Sequence, residues 1–122
     1  IPVYLYGTRE VHIVPIGGAY ASTRFLPGKK RFVAGASGHI AGVINPPAKK
    51  KRSHWVREDG QFPETVDQWI EGATEQPGSW WTDWSNWLGA QAGKQVAAPK
   101  SYGKGKYKVI EAAPGRYVKA KA

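Results

Sequence analysis

Lys30-Arg31-Phe32-Val33-Ala34-Gly35 passes directly into Ala36-Ser37-Gly38-His39. A short apolar run bounded by turn residues reads as a buried strand of a parallel sheet. The small-residue loop behind such a strand is where α/β enzymes place their reactive groups. Upstream, Val3-Tyr4-Leu5-Tyr6, closed by Gly7, has the same texture. Between the two runs lie the loop Gly7-Thr8-Arg9-Glu10 and a break at Pro15-Ile16-Gly17-Gly18. Ala19-Tyr20-Ala21-Ser22-Thr23 then predicts one or two turns of helix, closed by Pro27-Gly28. Strand, loop, helix, strand, loop is one βαβ step, so the fold class is α/β.

Two parallel strands leave both faces and both edges of a sheet uncovered. The chain also lacks methionine, even at position 1. Both observations lead to the expectation that the remainder of the domain lies upstream and that these residues are incomplete alone.

Beyond residue 40 the texture changes. Asn45-Pro46-Pro47 stops regular structure, and Lys49-Lys50-Lys51-Arg52 is a basic loop. Pro63-Glu64-Thr65-Val66-Asp67-Gln68-Trp69-Ile70 predicts a helix start with acidic residues in its first turn. Pro77-Gly78 is read as its end. Ser79 is then a fitting N-cap for a second helix that runs to about Gly93. Trp80, Trp84, Trp87 and Leu88 fall on one face of it, with Trp81 to the side. From Lys94 the chain is rich in Lys, Gly, Pro and Tyr, with at most one short strand expected, near Tyr107-Lys108-Val109-Ile110. The expected division is therefore 1–93, a catalytic-domain portion, and 94–122, a basic tail.

Composition bounds the function. The 122 residues are 41% hydrophobic with six tryptophans, enough to supply a core. No cysteine is present, which excludes disulfides and thiolate metal sites within this chain. No stretch approaches the ~20 apolar residues that span a bilayer, and no signal peptide is visible. Eighteen basic residues against nine acidic ones give a net charge of +9, which favours anionic partners.

In the α/β-hydrolase order a nucleophile comes first, then an acid, then a histidine. His39 follows the second strand, and glycines at 35, 38 and 42 let the backbone bend around it. The loop after the first strand, roughly 28 residues earlier, is where an orienting acid belongs. A polar loop histidine capped by its neighbours is the plainer reading of His39.

Gly38-His39-Ile40-Ala41-Gly42-Val43-Ile44-Asn45-Pro46-Pro47-Ala48-Lys49 resembles the histidine segment of class I polyhydroxyalkanoate synthases. So do Lys51-Arg52-Ser53-His54-Trp55, Gly78-Ser79-Trp80-Trp81 with Asp83-Trp84, and the closing Ala113-Pro114-Gly115-Arg116-Tyr117-Val118-Lys119-Ala120. The resemblance covers nearly the whole chain. It implies the C-terminal part of an α/β-hydrolase fold, its last parallel strands and C-terminal helices, in an acyltransferase. Such an enzyme polymerises (R)-3-hydroxyacyl-CoA, for example 3-hydroxybutyryl-CoA, into polyester and releases CoA. The nucleophile it implies is a cysteine in a G-x-C-x-G box, absent here, with His39 as general base and an aspartate completing the set. It further implies no cofactor, a growing polyester and granule surface as partners, a homodimer, and a cytoplasmic, granule-associated location.

The acid position departs from the pattern. Arg9-Glu10-Val11-His12-Ile13-Val14-Pro15 resembles a family segment with aspartate where Val11 stands. Valine accepts no hydrogen bond and cannot favour a charged imidazole. Val11 is an impairing substitution, or Glu10 substitutes for the acid, or the loop is remodelled, since Ile16-Gly17-Gly18 also departs from the pattern. His12 is a pocket candidate, with packing the plainer role, and His54 suits a surface or support role. No pair of histidines has metal-ligand spacing in the sequence.

Two alternatives remain. Lys49–Arg52 and Lys104-Gly105-Lys106-Tyr107-Lys108, with Tyr102, are compatible with nucleic acid, but a solvated loop and tail are the favoured reading. The tryptophan stripe is expected to be core packed against the Trp69 helix, rather than a granule or dimer surface. An inactive fragment or a basic module for an anionic partner is the alternative function.

Overall fold

The computed structural model describes residues 1–121. The chain forms two compact units, Ile1–Ala92 and a second from Gly93 onward. The first holds β1 (Val3–Thr8), α1 (Ile16–Phe25), β2 (Lys30–Gly35), a 3₁₀ turn (Pro47–Lys49), β3 (Ser53–Val56), α2 (Val66–Glu71), β4 (Thr74–Pro77) and α3 (Trp80–Gln91). The strands make one sheet in the order β1-β2-β3-β4. β1 and β2 are parallel, in register from Val3↔Lys30 to Thr8↔Gly35. β3 and β4 then add antiparallel. The fold is mixed α/β.

Side-chain alternation along the strands divides the sheet into two faces. Leu5, Phe32, Ala34 and Trp55 join Tyr20 of α1 and Trp69 of α2 in one core. There the Phe32 ring meets Trp69 edge-on at 4.9 Å and Tyr20 at 5.1 Å. Aromatic pairs of this geometry add about 0.5–1.5 kcal/mol beyond the area they bury. Tyr4, Tyr6 and Arg31 point to the opposite face and meet α3.

Several sequence expectations need correction. Pro15-Ile16-Gly17-Gly18 is not a break: α1 begins at Ile16, and both glycines are helical. Ile16, Ala19, Tyr20 and Thr23 form an i, i+3, i+4, i+7 stripe against the sheet. That burial outweighs the roughly 1 kcal/mol that each helical glycine costs. Pro77-Gly78 does not end the helix that begins after Pro63. α2 stops at Glu71, and β4 intervenes. β4 is exposed along its length, an edge strand with no apolar pattern to reveal it, and Pro77 is tolerated there.

β3 was hidden in the same way behind the basic run. Its burial alternates, with His54 and Val56 buried. Both helix starts after residue 60 follow capping chemistry. Thr65 and Gln68 form a reciprocal capping box at 3.2 and 3.1 Å. The Ser79 hydroxyl accepts from the Trp81 amide at 3.0 Å.

The tryptophan stripe does not pack on the Trp69 helix. Trp69 lies on the other face of the sheet, in the Phe32 core. Trp80 stacks on Tyr6 at 4.1 Å, and Trp87 tilts against Tyr4 at 5.4 Å. Asp83 sits between them, bonded to Tyr4 and Arg31. A polar anchor on this face turns Trp80, Asp83 and Trp87 toward the sheet and leaves Trp84 and Leu88 exposed.

In the second unit no strand forms at Tyr107–Ile110. Only an isolated bridge, Lys104↔Tyr107, is found there, with a 3₁₀ turn at Tyr117–Lys119. Among the described residues no helix is long and apolar enough to cross a membrane.

Candidate active site

β1 and β2 end side by side, Thr8 opposite Gly35, so the loops that follow them leave the same edge of the sheet. The backbone ties those loops together. The Arg9 amide donates to the Gly35 carbonyl at 2.9 Å, and the Glu10 amide donates to the Ser37 carbonyl at 3.2 Å. Residues distant in sequence are thereby fixed within one small region.

The second loop carries His39. Ser37 adopts a left-handed conformation (φ 70°), and a helical turn follows in which the Gly42 amide donates to Gly38 and the Ile44 amide to Ile40, both at 2.8 Å. Two glycines are sterically required here. A Cβ on Gly35 would fall 1.9 Å from the Tyr6 hydroxyl. A Cβ on Gly42 would fall 2.6 Å from the carbonyls of Ala36 and Gly38 and from Cγ2 of Thr8. Gly38 is different, because a Cβ there meets only an ordinary contact at 3.8 Å.

Aromatic donors fasten this turn from behind. The Tyr6 hydroxyl donates to the Gly42 carbonyl at 2.8 Å. The Trp81 indole donates to the Val43 carbonyl at 2.9 Å, and the Trp80 indole reaches both carbonyls at 3.2 Å. Burial pushes the Tyr6 hydroxyl above the ordinary phenol range, with Arg52 opposing. It therefore stays a donor at neutral pH.

Val11 and His39 line one cavity of about 220 Å³, together with Tyr6, Thr8, Ala19 and Val43. Val11 is half-buried, whereas Glu10, His12 and His39 are exposed. The His12 and His39 rings lie 5.7 Å apart at 82°. Thr8 is 3% exposed, and its hydroxyl oxygen has no hydrogen-bond partner among the described residues. Thr8 and Val11 are thus both cavity-lining residues, one with an unpaired buried hydroxyl and one with an apolar side chain.

His54 stands apart in role. It is buried, and its Nδ1 donates to the Gly78 carbonyl at 3.1 Å, while the Gly78 amide donates to Arg52 at 2.7 Å. Its role is support of the β3–β4 end and the start of α3, not a surface role. Lys49, Lys50, Lys51 and Arg52 are all exposed, with Lys50 and Arg52 in left-handed backbone (φ 48° and 67°).

Sequence comparison finds no family model that matches the chain. It does align with poly(3-hydroxyalkanoate) polymerases. The polymerase subunit PhaC of Cupriavidus necator is 62% identical over all 122 residues, which are 20% of that protein. The corresponding subunit of Rhizobium etli is 45% identical over 97% of this chain and 18% of its own length. Polymerase 1 of Ectopseudomonas oleovorans is 40% identical over 93% of this chain and 20% of its own. This chain belongs to the poly(3-hydroxyalkanoate) polymerase family. It spans about a fifth of the length of these polymerases.

Within that family segment, the structure brings His39, Val11 and His12 together and leaves His54 out of the cavity, on β3. Sequence reasoning missed Tyr6 and the Trp80 and Trp81 indoles as supports, and Thr8 as a lining residue. The pattern Tyr-Gly-Thr at a strand end holds no periodicity that distinguishes a loop fastener from a core residue.

Proposed function

We propose that this chain is the histidine-bearing part of an α/β-hydrolase-type acyltransferase domain that polymerises (R)-3-hydroxyacyl-CoA and releases CoA. His39 is the general base. The nucleophile, a cysteine by family resemblance, comes from outside these 122 residues. His39 takes the thiol proton, and the thiolate attacks the acyl carbonyl carbon. CoA leaves with a proton returned from the imidazolium. In the next step His39 removes the proton of an incoming 3-hydroxyl, whose oxygen attacks the enzyme-bound thioester; the C–S bond breaks, and the cysteine leaves as the thiol with the proton returned from His39. The growing polyester and its granule surface, a homodimer and a cytoplasmic setting belong to the same proposal.

One observation carries this reading. The loop ends of two adjacent parallel strands are bonded to each other and expose His39 over a cavity shared with the acid position. That position holds Val11, so the imidazolium formed in each step lacks a carboxylate partner. Glu10 does not replace it, because its side chain is exposed and does not line the cavity. We therefore assign this version reduced turnover.

The test is CoA release from 3-hydroxybutyryl-CoA by the full-length polymerase carrying this segment. Val11→Asp is expected to raise the rate at least tenfold, and His39→Asn to lower it about 10²–10⁴-fold. Normal turnover with Val11 in place, unchanged by Val11→Asp, overturns the assignment of the acid position. Turnover indifferent to His39→Asn overturns the whole reading.

A further inference from the structure

No pair of histidines has ligand spacing along the chain, yet folding creates one. His12 and His39 sit on the two loops that the Arg9–Gly35 and Glu10–Ser37 hydrogen bonds lock together. Their rings are 5.7 Å apart, nearly perpendicular, and both residues are exposed. An ion held by two imidazole nitrogens at about 2.1 Å stands about 3.2 Å from each ring centroid, which sets the centroids about 5.2–5.6 Å apart at tetrahedral to trigonal angles. The observed 5.7 Å lies just above that range, and small χ rotations of the two exposed rings suffice to aim one nitrogen of each at a shared ion.

From this we propose that His12 and His39 form a two-ligand site for a late first-row divalent ion, Cu²⁺, Ni²⁺ or Zn²⁺. Imidazole is a preferred donor for these ions, and Cu²⁺ binds most tightly of the series. The chain has no cysteine to compete for a soft ion. Among the described residues no group of three or more His, Asp or Glu side chains converges. Water therefore fills the remaining coordination positions, and the ion exchanges readily. Backbone locking favours binding, because the two loops that carry the rings are held together before the ion arrives.

Binding stands independently of the reaction. Should His39 act as the base assigned above, the ion takes the lone pair that accepts the proton, so occupancy and turnover exclude each other. His54 supplies an internal control. It is buried, and its Nδ1 already faces the Gly78 carbonyl.

The experiment is titration of the chain with CuCl₂, read by broadening of the histidine ring-proton resonances and by calorimetry. The His12 and His39 signals are expected to broaden together at substoichiometric Cu²⁺ while His54 stays sharp. Either His12→Gln or His39→Gln should weaken binding at least tenfold, and the double variant should lose little more than either single one. Because both side chains are exposed, the thermal midpoint is expected to stay unchanged, which separates lost binding from lost folding. Binding that survives His12→Gln within twofold, or broadening of one ring without the other, overturns the proposal. Loss of Cu²⁺ binding with turnover still dependent on His39 would leave the acyltransferase reading intact.

Discussion

The Tyr6 hydroxyl donates to the carbonyl of Gly42 at 2.8 Å, joining β1 to the turn that carries His39. The same carbonyl receives the Trp80 indole at 3.2 Å, so its two lone pairs are used by both layers around it. Tyr6→Phe removes one donor and leaves the ring stack on Trp80 in place. The expected cost is about 1 kcal/mol, the net worth of one hydrogen bond. Urea unfolding at constant slope measures it. A cost near zero means that Trp80 alone holds the carbonyl.

Gly42 and the glycines of α1 respond oppositely to alanine. At Gly42 a Cβ meets two carbonyls and Thr8 at 2.6 Å, and backbone atoms cannot rotate away. Gly42→Ala is expected to destabilise by about 1–3 kcal/mol and to displace the His39 turn. At Gly17 and Gly18 a Cβ meets nothing within 4 Å, in helical backbone. Gly18→Ala is expected to stabilise by about 0.5–1 kcal/mol. Thermal midpoints of the two variants should move in opposite directions, and a shared direction contradicts the steric account.

Asp83 ties α3 to the sheet and makes stability pH-dependent. It accepts from the Tyr4 hydroxyl at 2.8 Å and from Arg31 Nε at 2.9 Å. Burial pushes its carboxyl up, but the bonds to Arg31 and Tyr4 and the Arg31 charge outweigh that and hold it below the ordinary value. A depressed carboxyl contributes stability that is complete above its unfolded pKa of about 3.9. That contribution disappears as the pH falls through the lower, folded value. Stability should be flat above about pH 5 and fall on the acid side. Asp83→Asn should cost about 2 kcal/mol at neutral pH and flatten the acid limb. An unchanged limb assigns the acid sensitivity to another carboxylate, Glu58 first, which Arg31 also holds low.

What the sequence revealed followed from local signals. β2 was legible because Phe32-Val33-Ala34 is an unbroken apolar run. α3 was legible from the Ser79 cap. β4 was not, since Thr74-Glu75-Gln76-Pro77 is polar and pairs only through its backbone. The start of α1 was masked because Gly17-Gly18 argues locally for a break, while the stripe from Ile16 to Thr23 has meaning only against a sheet. The His39 and Val11 loops were placed at strand ends by pattern and resemblance. Their shared cavity, the place of Thr8 in its lining and the His12 contact depend on tertiary pairing that no local pattern encodes.

Thr8 offers the most direct probe of the acid position. Its hydroxyl oxygen is buried with no partner among the described residues, and Thr8 lines the same cavity as Val11. The backbone turns tightly between them, the Val11 amide meeting the Thr8 carbonyl at 3.5 Å. A buried hydroxyl left unpaired costs about 1–3 kcal/mol. With Val11 present, the near-isosteric Thr8→Val should therefore stabilise the chain or leave it unchanged. Val11→Asp puts a carboxylate on the same tight turn, where it is expected to offer the hydroxyl an acceptor. In that background Thr8→Val should instead destabilise, by about 1–2 kcal/mol for a bond to a charged group. A double-mutant cycle by denaturant unfolding isolates this reversal, because the coupling is read as the difference between the two backgrounds. Additivity within about 0.3 kcal/mol means that residue 11 and the Thr8 hydroxyl do not meet. The carboxylate would then have to find its donors on the His39 side of the cavity alone.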